Sequence, residues 1–237
     1  MITYSDLFCG CGGIRLAFQK IGTCVFSCDI DKFARETYKA NYGEVPSGDI
    51  TKIKSFPASD IICAGFPCQS FSAIGKRKGI TDPRGLLWRE VLRAAKQVRP
   101  TVIFLENVVG FKKYLPLLQN DFNELGYYFN WSEINSNILW VQSRPRIYMI
   151  ASLGKQYEFR SIRSCPVDCR LILETEAKFR YPSETAWTWL QKRKAAGHTG
   201  KWGYQEVNRY CPTLTTKNDR IFVNQRYLTL NELKQIQ

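Results

Sequence analysis

The stretch Ile2–Phe18, "ITYSDLFCGCGGIRLAF", determines how the rest of the chain is interpreted. Its first seven residues have the character of a short strand. Glycines follow at positions 10, 12 and 13, and then a segment with the spacing of a helix. Because glycine lets the backbone approach a ligand closely, the stretch predicts a strand, a ligand-binding loop and a helix, in that order.

Strand-like and helix-like segments continue to alternate up to about residue 150. Helical spacing recurs in "DKFARETYKANYG" and "LLWREVLRAAKQVRP", and short apolar runs separate these segments. The alternation predicts an α/β domain over residues 1–150, with a largely parallel sheet covered on both faces. Residues 151–208 are polar and basic, which predicts a small separate lobe. Residues 209–237 are interpreted as a segment that returns to the first domain.

Composition narrows the classes of function. The 237-residue chain has 34 Lys+Arg against 21 Asp+Glu, a net charge of +13, which suits a polyanionic partner such as nucleic acid. No apolar run approaches the roughly 18 residues of a membrane helix, and no secretory signal is visible. Nine cysteines, an odd number, favour a reducing compartment. We therefore predict a cytoplasmic location in a bacterial or viral setting and a nuclear one in a eukaryote.

Unusual residues gather at the predicted carboxyl ends of strands, where open α/β sheets bind their ligands. They are Phe8–Gly13, Asp29, Cys68 and Glu106–Asn107. A carboxylate at Asp29, after the second strand, can accept hydrogen bonds from both ribose hydroxyls. The glycine loop alone also fits a plain tight turn, or a metal site on Cys9 and Cys11. Dinucleotide binders and S-adenosylmethionine binders share these features, so both classes stay open at this point.

Six ordered motifs then resemble those of the DNA (cytosine-5)-methyltransferases. They are "DLFCGCGGIRLAF", "SCDIDKFA", "GDI" at 48–50, "GFPCQSFS" at 65–72, "ENV" at 106–108 and "QSRPR" at 142–146. The resemblance covers residues 1–150 and about 209–237. It implies a Rossmann-like S-adenosylmethionine-dependent methyltransferase sheet with a small, mostly irregular target-recognition lobe. It also implies S-adenosyl-L-methionine as the cofactor.

The resemblance implies a cofactor site as well. Phe8 is expected on one face of the adenine and Ile30 on the other. Asp29 is expected at the ribose and Asp49 near the adenine amino group. The complete implied set is Phe8, Gly10, Gly12, Gly13, Asp29, Ile30, Asp49, Ile50 and Pro67.

The chemistry of cytosine explains the remaining motifs. C5 is a poor nucleophile until a thiolate adds to C6, and the resemblance gives that role to Cys68. It places Glu106 as the acid near N3, with Asn107 steadying the strand end and the nucleophile loop. It places Arg146 at O2 and makes Arg144 a support of the loop. The alternate spacing of these two arginines predicts that both point to one face of a strand. Because a duplex hides C6 within its stack, the reaction requires base flipping and implies double-stranded DNA as the partner.

Contacts to DNA are expected from basic and polar residues. The segment 72–85, "SAIGKRKGITDPRG", is interpreted as a lid that closes over DNA. The expected nucleic-acid contacts are Gln69, Ser72, Lys76, Arg77, Arg84, Gln142 and Thr213. No metal site is expected, because Cys165 and Cys169 have no second pair at a suitable spacing.

Departures from the family pattern leave alternatives. Leu139 and Val141 stand where a Gly and a Pro are usual, and the closing Gly-Asn-Ser/Ala-Val run is not found before Gln237. A second polypeptide that supplies this run is therefore expected, or else a non-catalytic DNA-binding remnant. A tRNA cytosine-5 methyltransferase is the other alternative, although the Cys-Phe-Thr tripeptide associated with that branch does not occur.

Overall fold

The computed structural model describes residues 1–69, 71 and 82–167, together with 188, 192, 205–206, 211–212, 221–223 and 226–227. The chain forms two compact units. The first comprises Met1–Ile134 and Arg146–Arg160. The second comprises Asn135–Pro145 and Ser161–Gln237.

The first unit contains a six-stranded sheet. Its strands are β1 (Thr3–Leu7), β2 (Thr23–Cys28), β3 (Ile61–Ala64), β4 (Val102–Val108), β5 (Tyr128–Asn135) and, after the short β6 (Gln142–Ser143) of the second unit, β7 (Pro145–Ser152). Their order is β2-β1-β3-β4-β7-β5. The helices are α1 (Gly13–Phe18), α2 (Lys32–Tyr42), α3 (Trp88–Val98) and α4 (Leu115–Glu124). The predicted α/β class is confirmed.

Strand directions refine the predicted sheet. The strands β2, β1, β3 and β4 are parallel to one another, whereas β7 pairs with β4 in the antiparallel direction. The connection from Asn135 to Pro145 is too short for the crossover helix that a parallel return requires. The sheet is therefore mixed at this edge, which the alternation of segments did not predict.

The sequence interpretation also passed over α4, which lies between β4 and β5. This helix buries Leu115, Leu118 and Phe122, which have the spacing of one helix face, and it carries a proline in its first turn. The signal was therefore present in the sequence.

One hydrophobic core joins the sheet to α3 and α4. Strand β4 alternates buried and half-buried residues, with Ile103 and Leu105 fully buried. Helix α3 contributes Trp88 and Val91 to the same cluster, and α4 contributes Phe122. By contrast, none of the six residues of α1 is fully buried. The helices that contribute fully buried side chains to this core are therefore α3 and α4, and α1 contributes none.

The second unit contains short strands that come from distant parts of the chain. β6 pairs in parallel with β9 (Cys211–Pro212). β10 (Ile221–Val223) pairs with β8 (Gln205–Glu206) on one side and β11 (Arg226–Tyr227) on the other. Strands on either side of the predicted boundary at 208 thus share a sheet. The first unit also extends past the predicted boundary at 150, because β7 continues to Ser152.

Among the residues that the structure describes, no helix is both long enough and apolar enough to cross a membrane. The same residues contain no cluster of three or more His, Cys, Asp or Glu side chains that could hold a metal ion.

Candidate active site

The carboxyl ends of β1, β3 and β4 lie side by side at one edge of the sheet. From β1 the chain passes to β2 on one side, and later to β3 on the other side, so β1 lies at a topological switch point. Ligands of open α/β sheets bind at such points. The glycine loop follows β1, the Cys68 segment follows β3, and Glu106 lies within β4, so the fold brings three of the predicted site segments together.

The glycine loop has an unusual backbone. Phe8, Gly10 and Gly12 all have positive φ, of 56°, 54° and 93°. For Phe8 this conformation costs roughly 1–2 kcal/mol, so the surrounding contacts must maintain it. One such contact is the Gly10 N–H, which donates to Asp29 Oδ2 at 2.9 Å. The space where Gly10 and Gly13 would carry a Cβ is open, which leaves this backbone accessible to a ligand.

Gly12 faces a neighbouring helix rather than open space. A Cβ on Gly12 would overlap with Cε2 of Tyr42 on α2, so a side chain there would require the tyrosine ring to shift. The Tyr42 hydroxyl donates to the Gly12 carbonyl at 2.7 Å, and the Asn41 amide donates to the Cys11 carbonyl at 3.2 Å. Gly12 was predicted from sequence as a cofactor contact, and the structure gives it a packing role against α2.

The Asp29 carboxylate stabilises the glycine loop through hydrogen bonds. Its Oδ2 accepts from Gly10, and its Oδ1 accepts from the Asp31 N–H at 2.8 Å. Each carboxylate oxygen has two lone pairs, so both oxygens keep capacity for a ligand hydroxyl. Asp31 caps α2 by accepting from the Phe33 and Ala34 N–H groups. The two aspartates after β2 therefore have different structural roles.

The other predicted cofactor residues differ in exposure. Ile30 is 73% exposed, whereas Ile50 is 4% exposed and belongs to the core. Phe8 packs against that core from a half-buried position. Asp49 precedes the 3-10 helix Ile50–Lys52 and accepts from both the N–H and the hydroxyl of Thr51. These two hydrogen bonds lower the pKa of the Asp49 carboxyl.

The Cys68 segment is anchored by aromatic residues on both sides. Phe66 and Phe71 are buried, and their rings lie 5.1 Å and 4.9 Å from the ring of Phe111. Phe111 belongs to the 3-10 helix Val109–Tyr114, which directly follows β4. Cys68 is half-buried and is not in a disulfide. The aromatic contacts tie the Cys68 segment to the strand that carries Glu106.

Gly110 and Phe111 were missed by the sequence interpretation. A Cβ on Gly110 would lie 2.2 Å from the backbone oxygen of Phe71, so the Cys68 segment lies directly on this glycine. A glycine two residues after the "ENV" motif is a visible signal, but its reason lies in a contact with a distant segment.

Glu106 is fixed from two directions. Arg146 is the register partner of Val108, so it reaches Glu106 diagonally across the β4–β7 pair. Its Nε lies 2.9 Å from Glu106 Oε1, with side-chain exposures of 13% and 26%. The other carboxylate oxygen lies 3.7 Å from the Cβ position of Gly65, at the start of the Cys68 segment. The carboxylate therefore lies between the arginine and that segment.

Asn107 is 1% exposed and faces the Cys68 segment. Its amide Nδ2 donates to the Phe66 carbonyl at 3.1 Å, and its Oδ1 accepts from the Val108 N–H at 2.8 Å. The nucleophile segment and β4 are thus joined by a buried hydrogen bond. A buried amide that lost this partner would cost about 1–3 kcal/mol.

Arg144 does not fit the arrangement expected from its spacing. Alternate positions on one strand would place Arg144 and Arg146 on one face, but Arg144 lies between β6 and β7, outside both strands. Its N–H donates to Asn135 Oδ1 at 2.8 Å, and it belongs with Gln142, which is buried in β6, to the second compact unit.

Several predicted DNA contacts lie outside the described residues. They are Ser72, Lys76, Arg77 and Thr213. Arg84 lies in the 3-10 helix Pro83–Leu86, where only its backbone is described. Gln69 is exposed and Pro67 is half-buried, next to Cys68. Cys169 also lies outside the described residues.

Asp6 was also missed by the sequence interpretation. It lies on β1, two residues before Phe8, and its exposure is 0%. Neither carboxyl oxygen makes a well-formed hydrogen bond among the described residues. Burial raises the pKa of this carboxyl from 3.8 to about 7; Arg15 opposes the rise and Asp29 adds to it. An acidic residue inside a strand-like run was the visible signal.

The raised pKa of Asp6 predicts a pH-dependent stability. Between 3.8 and about 7 the folded chain holds a proton that the unfolded chain has lost, so the free energy of unfolding falls as the pH rises through this window. Asp6→Asn cannot ionise, so between pH 5 and pH 8 it should lose about 3 kcal/mol less stability than the unmodified chain. Urea unfolding across this range measures the difference. Exposed Glu158→Gln is the control, and an identical pH profile for Asp6→Asn would contradict the prediction.

Comparisons with known proteins agree with this arrangement. A sequence model described as C-5 cytosine-specific DNA methylase matches residues 2–227. The type II methyltransferase M.HhaI of Haemophilus parahaemolyticus is 44% identical over 158 residues, which cover 63% of this chain and 48% of that protein. M.DsaV of Dactylococcopsis salina is 34% identical over 236 residues, 91% of this chain and 67% of that protein. The chain thus spans about half to two thirds of the length of these relatives.

Solved structures share the fold at low sequence identity. The Entamoeba histolytica methyltransferase EhMeth has a TM-score of 0.74 at 19% identity, over 100% of this chain and 85% of that one. The S. pombe Dnmt2 methyltransferase has a TM-score of 0.71 at 20% identity, over 100% and 86%. The predicted Rossmann-like methyltransferase sheet is thereby confirmed.

Proposed function

The chain belongs to the family of C-5 cytosine-specific DNA methylases, and we propose that it transfers a methyl group from S-adenosyl-L-methionine to C5 of cytosine in double-stranded DNA. The observation that carries the proposal is the joining of the Cys68 segment to β4. Asn107 binds the Phe66 carbonyl, and the Glu106 carboxylate lies between Gly65 and Arg146. A nucleophile and an acid are thereby supported on neighbouring strands.

The first chemical step uses Cys68 and Glu106. The Cys68 thiolate adds to C6 of the cytosine and forms a sulfur–carbon bond. The π electrons of the C5–C6 double bond shift toward C4 and N3. Glu106 donates a proton or a hydrogen bond at N3, where negative charge would otherwise accumulate. C5 then has the nucleophilic character of an enamine carbon.

The following steps complete the transfer. Bound S-adenosylmethionine would supply a methyl group on a sulfonium for C5 to attack, and its sulfur would leave as a neutral thioether. The C5 proton then passes to a base, the bond from Cys68 to C6 breaks, and a proton taken up at N3 returns to Glu106. 5-Methylcytosine is released and Cys68 returns as the thiolate, so the cycle produces one proton, the one removed from C5.

Two arginines and an asparagine support these steps. Arg146 holds Glu106 through its Nε, and we assign its guanidinium to the O2 of the base. Asn107 keeps the Phe66 carbonyl, and with it the Cys68 segment, in a fixed position. We assign Arg144, whose N–H donates to Asn135, to the support of its own loop.

The residues around the glycine loop fit S-adenosylmethionine. Gly10 and Gly13 leave open space beside the backbone, and Asp29 retains lone pairs for ribose hydroxyls. Ile30 offers an exposed apolar side chain for one adenine face, opposite Phe8. Asp49 has an oxygen, Oδ2, outside its hydrogen bonds to Thr51, and this oxygen can accept from the adenine amino group.

DNA enters the proposal as a duplex from which the target base is flipped, because C6 is inaccessible within the stack. The net charge of +13 favours phosphate contact, so binding is expected to weaken as salt rises. Sequence reading is assigned to residues 151–208, and residues 209–237 are proposed to return toward the catalytic domain. The expected second polypeptide has no support in the comparisons.

Asp29→Ala should weaken S-adenosylmethionine binding by about 1–3 kcal/mol, because the ribose hydroxyls and the Gly10 N–H lose the carboxylate that accepts their hydrogen bonds. Isothermal titration calorimetry measures the change in affinity. Exposed Glu36→Gln on α2 serves as the control. An unchanged affinity for the alanine variant would move the ribose contact elsewhere, with Asp31 as the next candidate.

The proposed function is tested with the 237-residue chain alone. Transfer of a tritiated methyl group is measured on duplex DNA and on transfer RNA in parallel. Label in duplex DNA that appears as 5-methylcytosine on hydrolysis is the expected result. Label only in transfer RNA would replace the proposal with the RNA alternative, and label in neither would favour the non-catalytic remnant.

A further inference from the structure

Arg93 on α3 reaches the backbone of the segment that follows Asp49. Its Nη2 donates to the Ile50 carbonyl and its Nη1 to the Ile53 carbonyl, both at 2.8 Å. These carbonyls belong to the first residue of the 3-10 helix Ile50–Lys52 and to the residue directly after it. One planar guanidinium therefore spans the whole turn.

The remaining sides of the guanidinium are also engaged. Its Nε donates to Glu90 Oε2 at 2.8 Å, and Nη2 lies 2.6 Å from the same oxygen. Its Cζ lies 4.9 Å from the centroid of the Phe56 ring. Farther along the same face of α3, the Gln97 amide donates to the Lys54 carbonyl at 3.2 Å. Although the chain is strongly basic, this arginine is committed to protein contacts rather than to phosphates.

The turn that Arg93 holds begins at Asp49. Asp49 Oδ1 accepts from the Thr51 N–H and hydroxyl, so the orientation of the carboxylate is set by the turn itself. Displacing the Ile50 carbonyl would move the residue that directly follows Asp49. The position of the Asp49 carboxylate thus depends on a side chain more than forty residues farther along the chain.

We propose that Arg93 is a positioning residue of the cofactor site, which fixes the turn 49–53 so that the Asp49 carboxylate meets the adenine amino group. The inference rests on the proposed function, because it concerns the base of the same cofactor. A lysine at this position would keep the charge but could not span two carbonyls, since its ammonium is a single point of contact.

The test compares two nucleosides on the full chain. Calorimetry measures the affinity for S-adenosylhomocysteine and for its hypoxanthine analogue, which carries an oxygen in place of the amino group. The unmodified chain should prefer adenine by about tenfold or more. Arg93→Lys should weaken S-adenosylhomocysteine binding by about tenfold and reduce the preference to near unity. Exposed Arg89→Lys, on the same helix, should change neither value.

A second variant guards against a general folding defect. Asp49→Ala should lose the same base preference, and adding Arg93→Lys should reduce it little further, because both act through one carboxylate. An unchanged affinity for Arg93→Lys, or equal weakening toward both nucleosides, would overturn the inference alone. An unmodified chain that binds neither nucleoside would overturn the proposed function as well.

Discussion

Cys68→Ser should lower the single-turnover rate of methyl transfer to duplex DNA by about 10⁴-fold, while DNA affinity changes less than about threefold. A serine hydroxyl is almost entirely protonated at neutral pH and is a far weaker nucleophile toward C6 than a thiolate. The shape of the side chain is nearly the same, so the contacts of Phe66 and Phe71 with Phe111 should survive. Rapid-quench measurement with labelled cofactor gives the rate.

The matched control is Cys165→Ser, because this cysteine is likewise outside any disulfide and is exposed to solvent. It should retain the full rate. A Cys68→Ser variant that kept more than about a tenth of the unmodified rate would show that another group adds to C6.

Glu106→Gln should lower the turnover rate by about 10²–10³-fold. An amide cannot transfer a proton at N3, and it does not pair with the Arg146 guanidinium as a carboxylate does. The effect should appear in kcat rather than in the KM for DNA, because the interaction is made in the transition state. Steady-state kinetics on duplex DNA separate the two constants.

Glu133→Gln provides the comparison for this variant. Glu133 also pairs with a basic side chain, Lys112 at 3.5 Å, but on the surface, with side-chain exposures of 52% for the lysine and 40% for the glutamate. Its loss should leave kcat unchanged, since exposed pairs contribute little. Equal kcat values for Glu106→Gln and the unmodified chain would remove Glu106 from the chemistry.

The sheet and its loops could be predicted because they rest on local patterns. The apolar runs at Thr3–Leu7 and Val102–Val108 carry a strand signal in themselves, and the glycines after β1 announce the loop. The left-handed conformation of Phe8 could not be predicted, since non-glycine residues rarely adopt it. The loop that follows Phe8 is held by contacts of Gly10 with Asp29 and of Cys11 and Gly12 with α2, which form only in the folded chain.

Arg144 shows where alternation fails. Alternate residues point to the same face only while a strand is continuous. Arg144 lies outside a strand, between the end of β6 and the start of β7. The direction of β7 was equally hidden, because strand pairing depends on partners far away in sequence.

The supporting contacts of the site were the least predictable. Asn107 reaches Phe66, and Arg93 reaches Ile50, over about forty residues in each case. Nothing in the sequence around Asn107 or Arg93 indicates which residue its side chain contacts. The chemical residues and the supporting role of Asn107 could be named from motifs, whereas the bond of Asn107 to Phe66 and all the contacts of Arg93 required the folded structure.

The most direct test of the central claim is covalent capture of Cys68. Duplex DNA with 5-fluorocytosine at the target position is incubated with the chain and S-adenosylmethionine, and peptides are mapped by mass spectrometry. Fluorine at C5 cannot leave as a proton does, so the sulfur–C6 bond should persist. If Cys68 adds to C6 as proposed, we expect a denaturation-resistant adduct in which Cys68 carries a methylated, fluorinated cytosine nucleotide. Absence of an adduct from a preparation that methylates ordinary DNA, or an adduct on another cysteine, would contradict it.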